Sequence, residues 1–381
     1  MKGFAERIYA AVINPPADET LRAVHDVLPL PVIWLLGKTG AGKTSVIRQL
    51  TGDSSAAIGN GFRPCTATSN AYDFPVAHPI VRFIDTRGLG EADYDPEADV
   101  ATLAKGSHAL LLVIRLDDPE QSPVLQLLQT ICRRFPHIGR EAILVVYTGR
   151  DLLPGEAARA RALAHQQTAL QQAWGAPVGH CVVDFSLVGA EDPVVDNGAA
   201  ELRTLLADQL PQLGLWLQQQ RADSKEQANF QNLRAEVHWY AATAAASDAV
   251  PVVGLASVPL VQGKLLHSLA RRYGMAWDRR SFSEFAGALG SSVALKYALS
   301  HGARQVGKLV PGWGQLVGTA LSMSVSYAST WAIGRAACYY LYQRQQGQAP
   351  DPQALRTLYR DALASGRQRG QAVAEQARHE E

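Results

Sequence analysis

The sequence predicts an α/β domain with a mostly parallel sheet, followed by an all-α domain. Three observations predict it. Short apolar segments of strand type alternate with helical segments from Val32 to about Leu215, which is the pattern a parallel sheet covered on both faces requires. A glycine-rich stretch of the form G-x-x-x-x-G-K-S/T, Gly37-Lys38-Thr39-Gly40-Ala41-Gly42-Lys43-Thr44, lies between the first strand and the first helix of that pattern. After Leu215 the composition shifts to glutamine and then to alanine, glycine and valine. At 381 residues the chain is long enough for two or three domains, each with its own core.

Taken in order, residues 4–13 read as a short helix ended by Asn14-Pro15-Pro16. Residues 18–27 give a second helix, stopped by Leu28-Pro29-Leu30-Pro31. Residues 1–30 thus form a helical lead-in, either packed on the domain that follows or a loose arm. The lead-in carries Glu6, Asp18, Glu19 and Asp26 and no long apolar core, so it is not expected to be a secretory signal. The α/β domain is placed at 31–216. Its first strand is 32–36, and the later ones are 68–74, 80–85, 109–115, 142–147 and 181–185, six in all. The link Pro75-Val76-Ala77-His78-Pro79 is too short for a crossover helix, so strands two and three form a hairpin and one strand is antiparallel. Helices are expected at 45–50, 119–135, 154–174 and 198–210.

The second domain is placed at 217–366, with a flexible tail at 367–381. Residues 218–231 read as a connecting helix, 264–273 as amphipathic and basic, and 285–299 as largely apolar. Residues 309–334 carry no charged side chain, and 351–368 read as an amphipathic helix. The 309–334 stretch is long enough to cross a bilayer, but its glycines, serines and threonines dilute its apolarity. A buried helical bundle fits these residues, and so does a helical hairpin that associates reversibly with a membrane. A formal net charge of +1 argues against a general polyanion binder, and no specific nucleic-acid signal is present. The cysteines, Cys65, Cys132, Cys181 and Cys338, are scattered without metal or disulfide spacing, which suits a reduced cytosolic setting.

The chemistry concentrates in the α/β half. Glycines let a backbone wrap closely around an anion and aim N–H groups at it, and the helix N-terminus adds partial positive charge. The loop residues 37–44 and Ser45 are therefore expected to bind phosphate. Lys43 would reach the β- and γ-phosphates and the Thr44 hydroxyl would ligate Mg²⁺. Asp85-Thr86-Arg87-Gly88 ends the third strand as D-x-x-G. There Asp85 can hold Mg²⁺ through water, and the Gly88 N–H can meet a γ-phosphate. Residues 52–69 are rich in Gly, Ser, Arg, Pro and Thr, as a mobile first switch should be. Thr66 and Thr68 compete to complete the Mg²⁺ shell, and Thr66 leaves more room for the hairpin. In Thr148-Gly149-Arg150-Asp151 a carboxylate follows a buried strand. Asp151 can accept both the ring N–H and the exocyclic amine of guanine, a pair that adenine does not offer together. Ser186 and Leu187, past the last strand, would supply backbone contacts to the base edge.

This ordered set resembles the translation-factor-related GTPases, specifically the Era-like branch. The phrase Gly-Lys-Thr-Gly-Ala-Gly-Lys-Thr is similar to predicted GTPases of bacterial genomes and prophages within it. The resemblance covers about 32–215. It implies a Ras-like G domain that binds GTP and GDP with Mg²⁺ and hydrolyses GTP as a molecular switch. Lys43, Thr66 and Gly88 would act on the γ-phosphate, while Thr148, Asp151, Ser186 and Leu187 would hold the base. The chain departs from the family's base-reading motif, where Thr148 and Gly149 stand in place of the asparagine and lysine of Asn-Lys-x-Asp. Leu89 follows the D-x-x-G glycine, an apolar residue as in Era-like members, where the Ras type has a water-orienting glutamine. Gly40 stands where potassium-activated relatives carry asparagine. Intrinsic hydrolysis is therefore expected to be slow. Arg63, three residues before Thr66, matches the spacing of a cis arginine finger, which is worth about 10³–10⁵ in rate. Its alternative is a solvated loop arginine, and Arg87 is a rival.

The second half resembles an alanine- and glycine-rich helical domain of unknown function that follows Era-like G domains. The matching residues are Arg272-Tyr273-Gly274, 308–314, Gly318 and Thr330-Trp331-Ala332-Ile333-Gly334-Arg335. This second resemblance supports the architecture and brings no established activity. The partners expected of the whole chain are guanine nucleotide, a protein effector or activator, a candidate membrane surface, and a candidate nucleotide-dependent dimer. The expected location is cytoplasmic, with the inner face of the cytoplasmic membrane as the alternative. A dynamin-like membrane mechanoenzyme and a P-loop module without fast hydrolysis are the competing functions.

Overall fold

The computed structural model describes residues 18–26, 30–51, 63–64, 69–86, 108–134, 143–184, 198–217, 224–249, 258–290 and 315–379. The chain divides into two compact units, Leu30–Gln219 and Met1–Pro29 with Gln220–Glu381.

The first unit is a mixed sheet of order β2-β3-β4-β1-β5-β6-β7. Its strands are β1 (Val32–Leu36), β2 (Arg63–Pro64), β3 (Ser69–Phe74), β4 (Val81–Thr86), β5 (His108–Arg115), β6 (Ile143–Thr148) and β7 (Gly179–Val182). β1 runs parallel to β4 and β5, and β5-β6-β7 continue parallel. The short link closes the expected hairpin: β3 and β4 pair antiparallel from Ser69↔Thr86 to Phe74↔Val81. The sheet differs from the six-strand expectation by one short addition. Arg63–Pro64 pairs antiparallel with β3 at the sheet edge, a position where a proline's missing N–H is tolerated.

The central strands are apolar because both faces are covered. Every residue of β1 and of β6 is buried. Helices α3 (Ser122–Arg134) and α4 (Gly155–Trp174) cover one face, where Val124, Leu127, Leu128, Leu170 and Trp174 pack on Trp34, Leu36, Leu112 and Ile114. On the other side α2 (Lys43–Thr51) packs against β4 and against α5 (Ala199–Gln209), and α5 packs against β7. A short helix, α6 (Gly214–Leu217), follows α5, and its Trp216 ring lies 5.8 Å from that of Phe74. Helix α4 stops at Gly175, whose φ of +76° is the left-handed conformation glycine supplies.

The second unit is helical: α1 (Asp18–His25), α7 (Lys225–Ala249), α8 (Val258–Arg272), α9 (Arg279–Leu289), α10 (Gln315–Gln345) and α11 (Pro352–His379). Helix α7 runs without a break from the polar segment into the alanine-rich stretch 241–246, alanine being the best helix former. α10 packs against α7, α8 and α11. Small residues let it come close. A Cβ on Gly334 would lie 2.4 Å from Val237, one on Gly366 3.0 Å from the Ala328 Cα, and one on Gly370 2.6 Å from the Ser324 carbonyl oxygen. Several buried polar groups are partnered across helices. Arg335 donates two bonds to Glu226, at 2.6 and 2.9 Å, and lies over the Phe230 ring. Gln262 donates to Thr330 at 3.0 Å, and Glu236 accepts from Ser268 and Arg272.

Of the lead-in, the described helix is α1. It packs on α7 of this unit. His25 stacks 4.8 Å from Trp239 and hydrogen-bonds Thr243 at 3.1 Å, and Lys264 of α8 pairs with Asp18. The expected 4–13 helix lies outside the described residues. Helix α11 continues past residue 368 to His379. Among the described residues no helix is long and apolar enough to cross a membrane.

Candidate nucleotide site

The glycine loop is set by the strands beneath it. At its start a Cβ on Gly37 would lie 2.3 Å from the Val113 carbonyl oxygen of β5, so only glycine fits against that strand. Gly40 and Gly42 have φ of +78° and +96°, conformations L side chains rarely adopt. Ala41 N–H closes back on the Lys38 carbonyl at 3.1 Å, and α2 then begins at Lys43. Lys43 is 9 % exposed, and its Nζ donates to the Gly37 carbonyl at 2.9 Å and to the Lys38 carbonyl at 3.2 Å. Its ammonium is thereby held against the loop at the positive end of α2. Thr39, Gly40, Thr44 and Ser45 are exposed at the mouth.

Asp85 stands at the end of β4, in register with Leu35 of β1. Its Oδ1 is buried and has no hydrogen-bond partner among the described residues. Burial pushes its carboxyl above the ordinary aspartate value, against the opposing pull of the Lys43 charge and a hydrogen bond from the Thr44 side chain. A buried carboxylate oxygen without a donor, beside a threonine hydroxyl at a phosphate loop, suits Mg²⁺. That ion takes one or two protein oxygens and completes its shell with water and phosphate. The residues present therefore fit the metal.

The third part of the site follows β6. Thr148 is buried, and its hydroxyl donates to the Ala41 carbonyl at 2.8 Å. This bond ties the end of β6 to the centre of the glycine loop. The chain then turns through Gly149 (φ +69°) into a 3₁₀ turn, Arg150–Leu152, which leaves Asp151 exposed. Arg150 pairs with Glu156 of α4 at 3.0 Å.

Two polar contacts here escape motif reading. Lys38 of the loop donates to Asp118 at 2.7 Å and to the Glu120 carbonyl at 2.8 Å. Arg115, the last residue of β5, grips Asp117 through two bonds of 2.9 and 2.6 Å, and this holds the Asp117 carboxyl below its ordinary value. The only sequence signal for either is the acid pair Asp117-Asp118 directly after an apolar strand.

The structure thus brings together Gly37 to Ser45, Asp85 and Thr148 at the strand ends, with Asp151 on the turn that follows β6. Thr66, Gly88, Ser186 and Leu187 lie outside the described residues. Arg63 contributes backbone to β2, and its side chain lies outside them.

Residues 32–148 match the family model described as 50S ribosome-binding GTPase. The match spans the glycine loop, Asp85 and Thr148 and supports a P-loop GTPase domain in this part of the chain. No curated protein matches the sequence. Among solved structures, the chain is similar to a dimerization-deficient mutant of Toc33 from Arabidopsis thaliana. Identity is 18 %, coverage is 52 % of this chain and 94 % of that one, and the TM-score is 0.36. It is also similar to the bacterial selenocysteine-specific elongation factor EF-Sec, at 18 % identity over 47 % of this chain and 28 % of that one, with a TM-score of 0.33. A third similarity is to a variant of SsGBP, at 19 % identity over 55 % and 66 % respectively, with a TM-score of 0.28. The chain spans under a third of the length of EF-Sec and about two thirds of SsGBP.

Proposed function

We propose that the chain is a guanine-nucleotide switch of the Era-like type that hydrolyses GTP to GDP and phosphate, with the helical unit as the part that reads the nucleotide state. The observation that carries this reading is the buried Asp85 Oδ1, without a hydrogen-bond partner among the described residues, beside Thr44 and Lys43. That trio suits a metal-bound phosphate.

In this reading the loop N–H groups and the Lys43 ammonium take the β- and γ-phosphates. The amine exchanges its two carbonyl partners, Gly37 and Lys38, for phosphate oxygens. Thr44 and Thr66 would hold Mg²⁺ directly and Asp85 through water, and the ion would supply charge neutralisation around the β- and γ-phosphates. Asp151 accepts the guanine ring N–H and exocyclic amine, and the backbone at Ser186 and Leu187 meets the base edge. Water attacks the γ-phosphorus in line, with the developing charge met by Lys43, the loop N–H groups and the Gly88 N–H. Leu89 and Gly40 offer the water no orienting group, so hydrolysis is slow unless Arg63 or a partner supplies a cation.

The test is equilibrium binding of labelled GTP, GDP, ATP and xanthosine triphosphate to the full chain and to Asp151→Asn. The expected result is GTP and GDP above ATP for the wild type. The variant should lose GTP and gain the xanthine nucleotide, whose extra carbonyl matches an amide donor. Preference of the wild type for ATP would overturn the assignment.

A further inference from the structure

Gly149 leaves the turn before Asp151 without a side chain, and the space beside it is filled from the turn that follows β5. A Cβ on Gly149 would lie 3.0 Å from Asp117 Oδ1. Asp117 in turn grips Arg115 edge-on, Nε to Oδ1 at 2.9 Å and Nη2 to Oδ2 at 2.6 Å. The origin of that arginine is fixed by the sheet. Arg115 is in register with Thr148, the Leu116 N–H donates to the Thr148 carbonyl at 2.9 Å, and the Arg115 carbonyl accepts from Gln166 at 3.0 Å. Asp151 lies close enough for its charge to act on the Arg115 guanidinium. A guanidinium that spends its edge on a carboxylate leaves its faces out of those bonds, and this side chain is 38 % exposed.

A purine whose edge is read by a carboxylate still needs a surface against its face, and Gly149 offers none. We propose that Arg115 is a base-binding residue: its guanidinium, oriented by Asp117 beside Gly149, stacks on the purine whose edge Asp151 reads. This rests on the nucleotide reading above and adds to it the residue that covers the base. The chemistry is that of a planar cation on an aromatic face, for which lysine is not an equivalent. The geometry also gives Asp117 a role, that of setting the plane of the guanidinium and lowering the rotamer entropy lost when the base arrives.

The experiment compares GTP with inorganic triphosphate, each with Mg²⁺, as ligands of the full chain and of Arg115→Ala, Arg115→Lys and Asp117→Asn. Inorganic triphosphate engages the loop and has no base. Loss of a stacking partner should weaken GTP about tenfold or more in Arg115→Ala while triphosphate binding stays at the wild-type level. Arg115→Lys should recover less than half of the loss on a logarithmic scale, and Asp117→Asn should fall between wild type and Arg115→Ala. GTP affinity unchanged in Arg115→Ala overturns the inference. So does an equal weakening of GTP and triphosphate, which would make Arg115 a support of the fold. A wild-type chain that binds triphosphate but not GTP would instead overturn the guanine-nucleotide reading, and this inference with it.

Discussion

Thr148→Val tests whether the end of β6 holds the phosphate loop in shape. The substitution keeps the branched side chain and removes one hydroxyl. That hydroxyl sends its proton to the Ala41 carbonyl at 2.8 Å, with the Ile114 carbonyl at 3.5 Å too distant to share it equally. Ala41 is 3 % exposed, so water does not replace the donor. A buried carbonyl left without a partner costs about 1–3 kcal/mol. If the loop relaxes to find another donor, the same free energy appears as weakened phosphate binding, about tenfold for each 1.4 kcal/mol. The assays are urea unfolding followed by far-UV circular dichroism, and titration with labelled GTP. Thr148→Val should lower the unfolding midpoint of the α/β unit and weaken GTP about tenfold, whereas Thr148→Ser, which keeps the hydroxyl, should stay near wild type. GTP affinity within twofold of wild type and an unmoved midpoint for Thr148→Val would refute the brace.

Two further outcomes are expected. The Glu226–Arg335 pair is buried, with side-chain exposures of 11 and 10 %, so Glu226→Ala should destabilise the helical unit by about 3–5 kcal/mol by stranding a guanidinium, while Glu226→Leu combined with Arg335→Met should recover most of that. A single-variant cost below about 1 kcal/mol in urea unfolding would place the pair among ordinary surface contacts. Asp85 gives a pH signature without Mg²⁺ or nucleotide. Burial raises its folded-state pKa above the unfolded value of 3.8, so its stabilising contribution is complete below that value and lost as pH rises through the raised one. Asp85→Asn should then melt above wild type at pH 7 with the gap closing toward pH 4, and adding Mg²⁺ with GTP should reverse the order. An identical pH profile for the two chains would contradict the burial argument.

Where the local pattern carries the information, the sequence reads well. β1 and β6 are apolar runs because both faces are covered, and the link between β3 and β4 is too short for anything but a hairpin. The two-residue β2 has no pattern long enough to notice, since a strand period needs several residues to show. The amphipathic face of α1 announces that Leu21 and Val24 will be buried but not against what, and the partner proves to be α7, more than two hundred residues along the chain. The same limit applies at the nucleotide site. Lys43, Asp85 and Thr148 come from motifs with fixed spacing. The Lys38–Asp118 contact joins residues 80 positions apart, and the Arg115 grip on Asp117 gains meaning only from Gly149 in the turn after the neighbouring strand. Non-local pairings of this kind have no sequence period to betray them.

The glycines of α11 carry one more consequence. Gly366 faces Ala328, and Gly370, one turn on, faces Ser324 of the antiparallel α10. Sliding α11 by one turn in one direction would set Ala362 against Ala328, and in the other Ala374 against Ser324, each bringing a methyl into space that holds only hydrogen. The two helices are keyed to a single alignment, like a latch with two teeth. A motion that carries a nucleotide signal through this unit would therefore move α10 and α11 together as one piece, and a reporter pair placed across their seam should stay silent while pairs placed elsewhere respond.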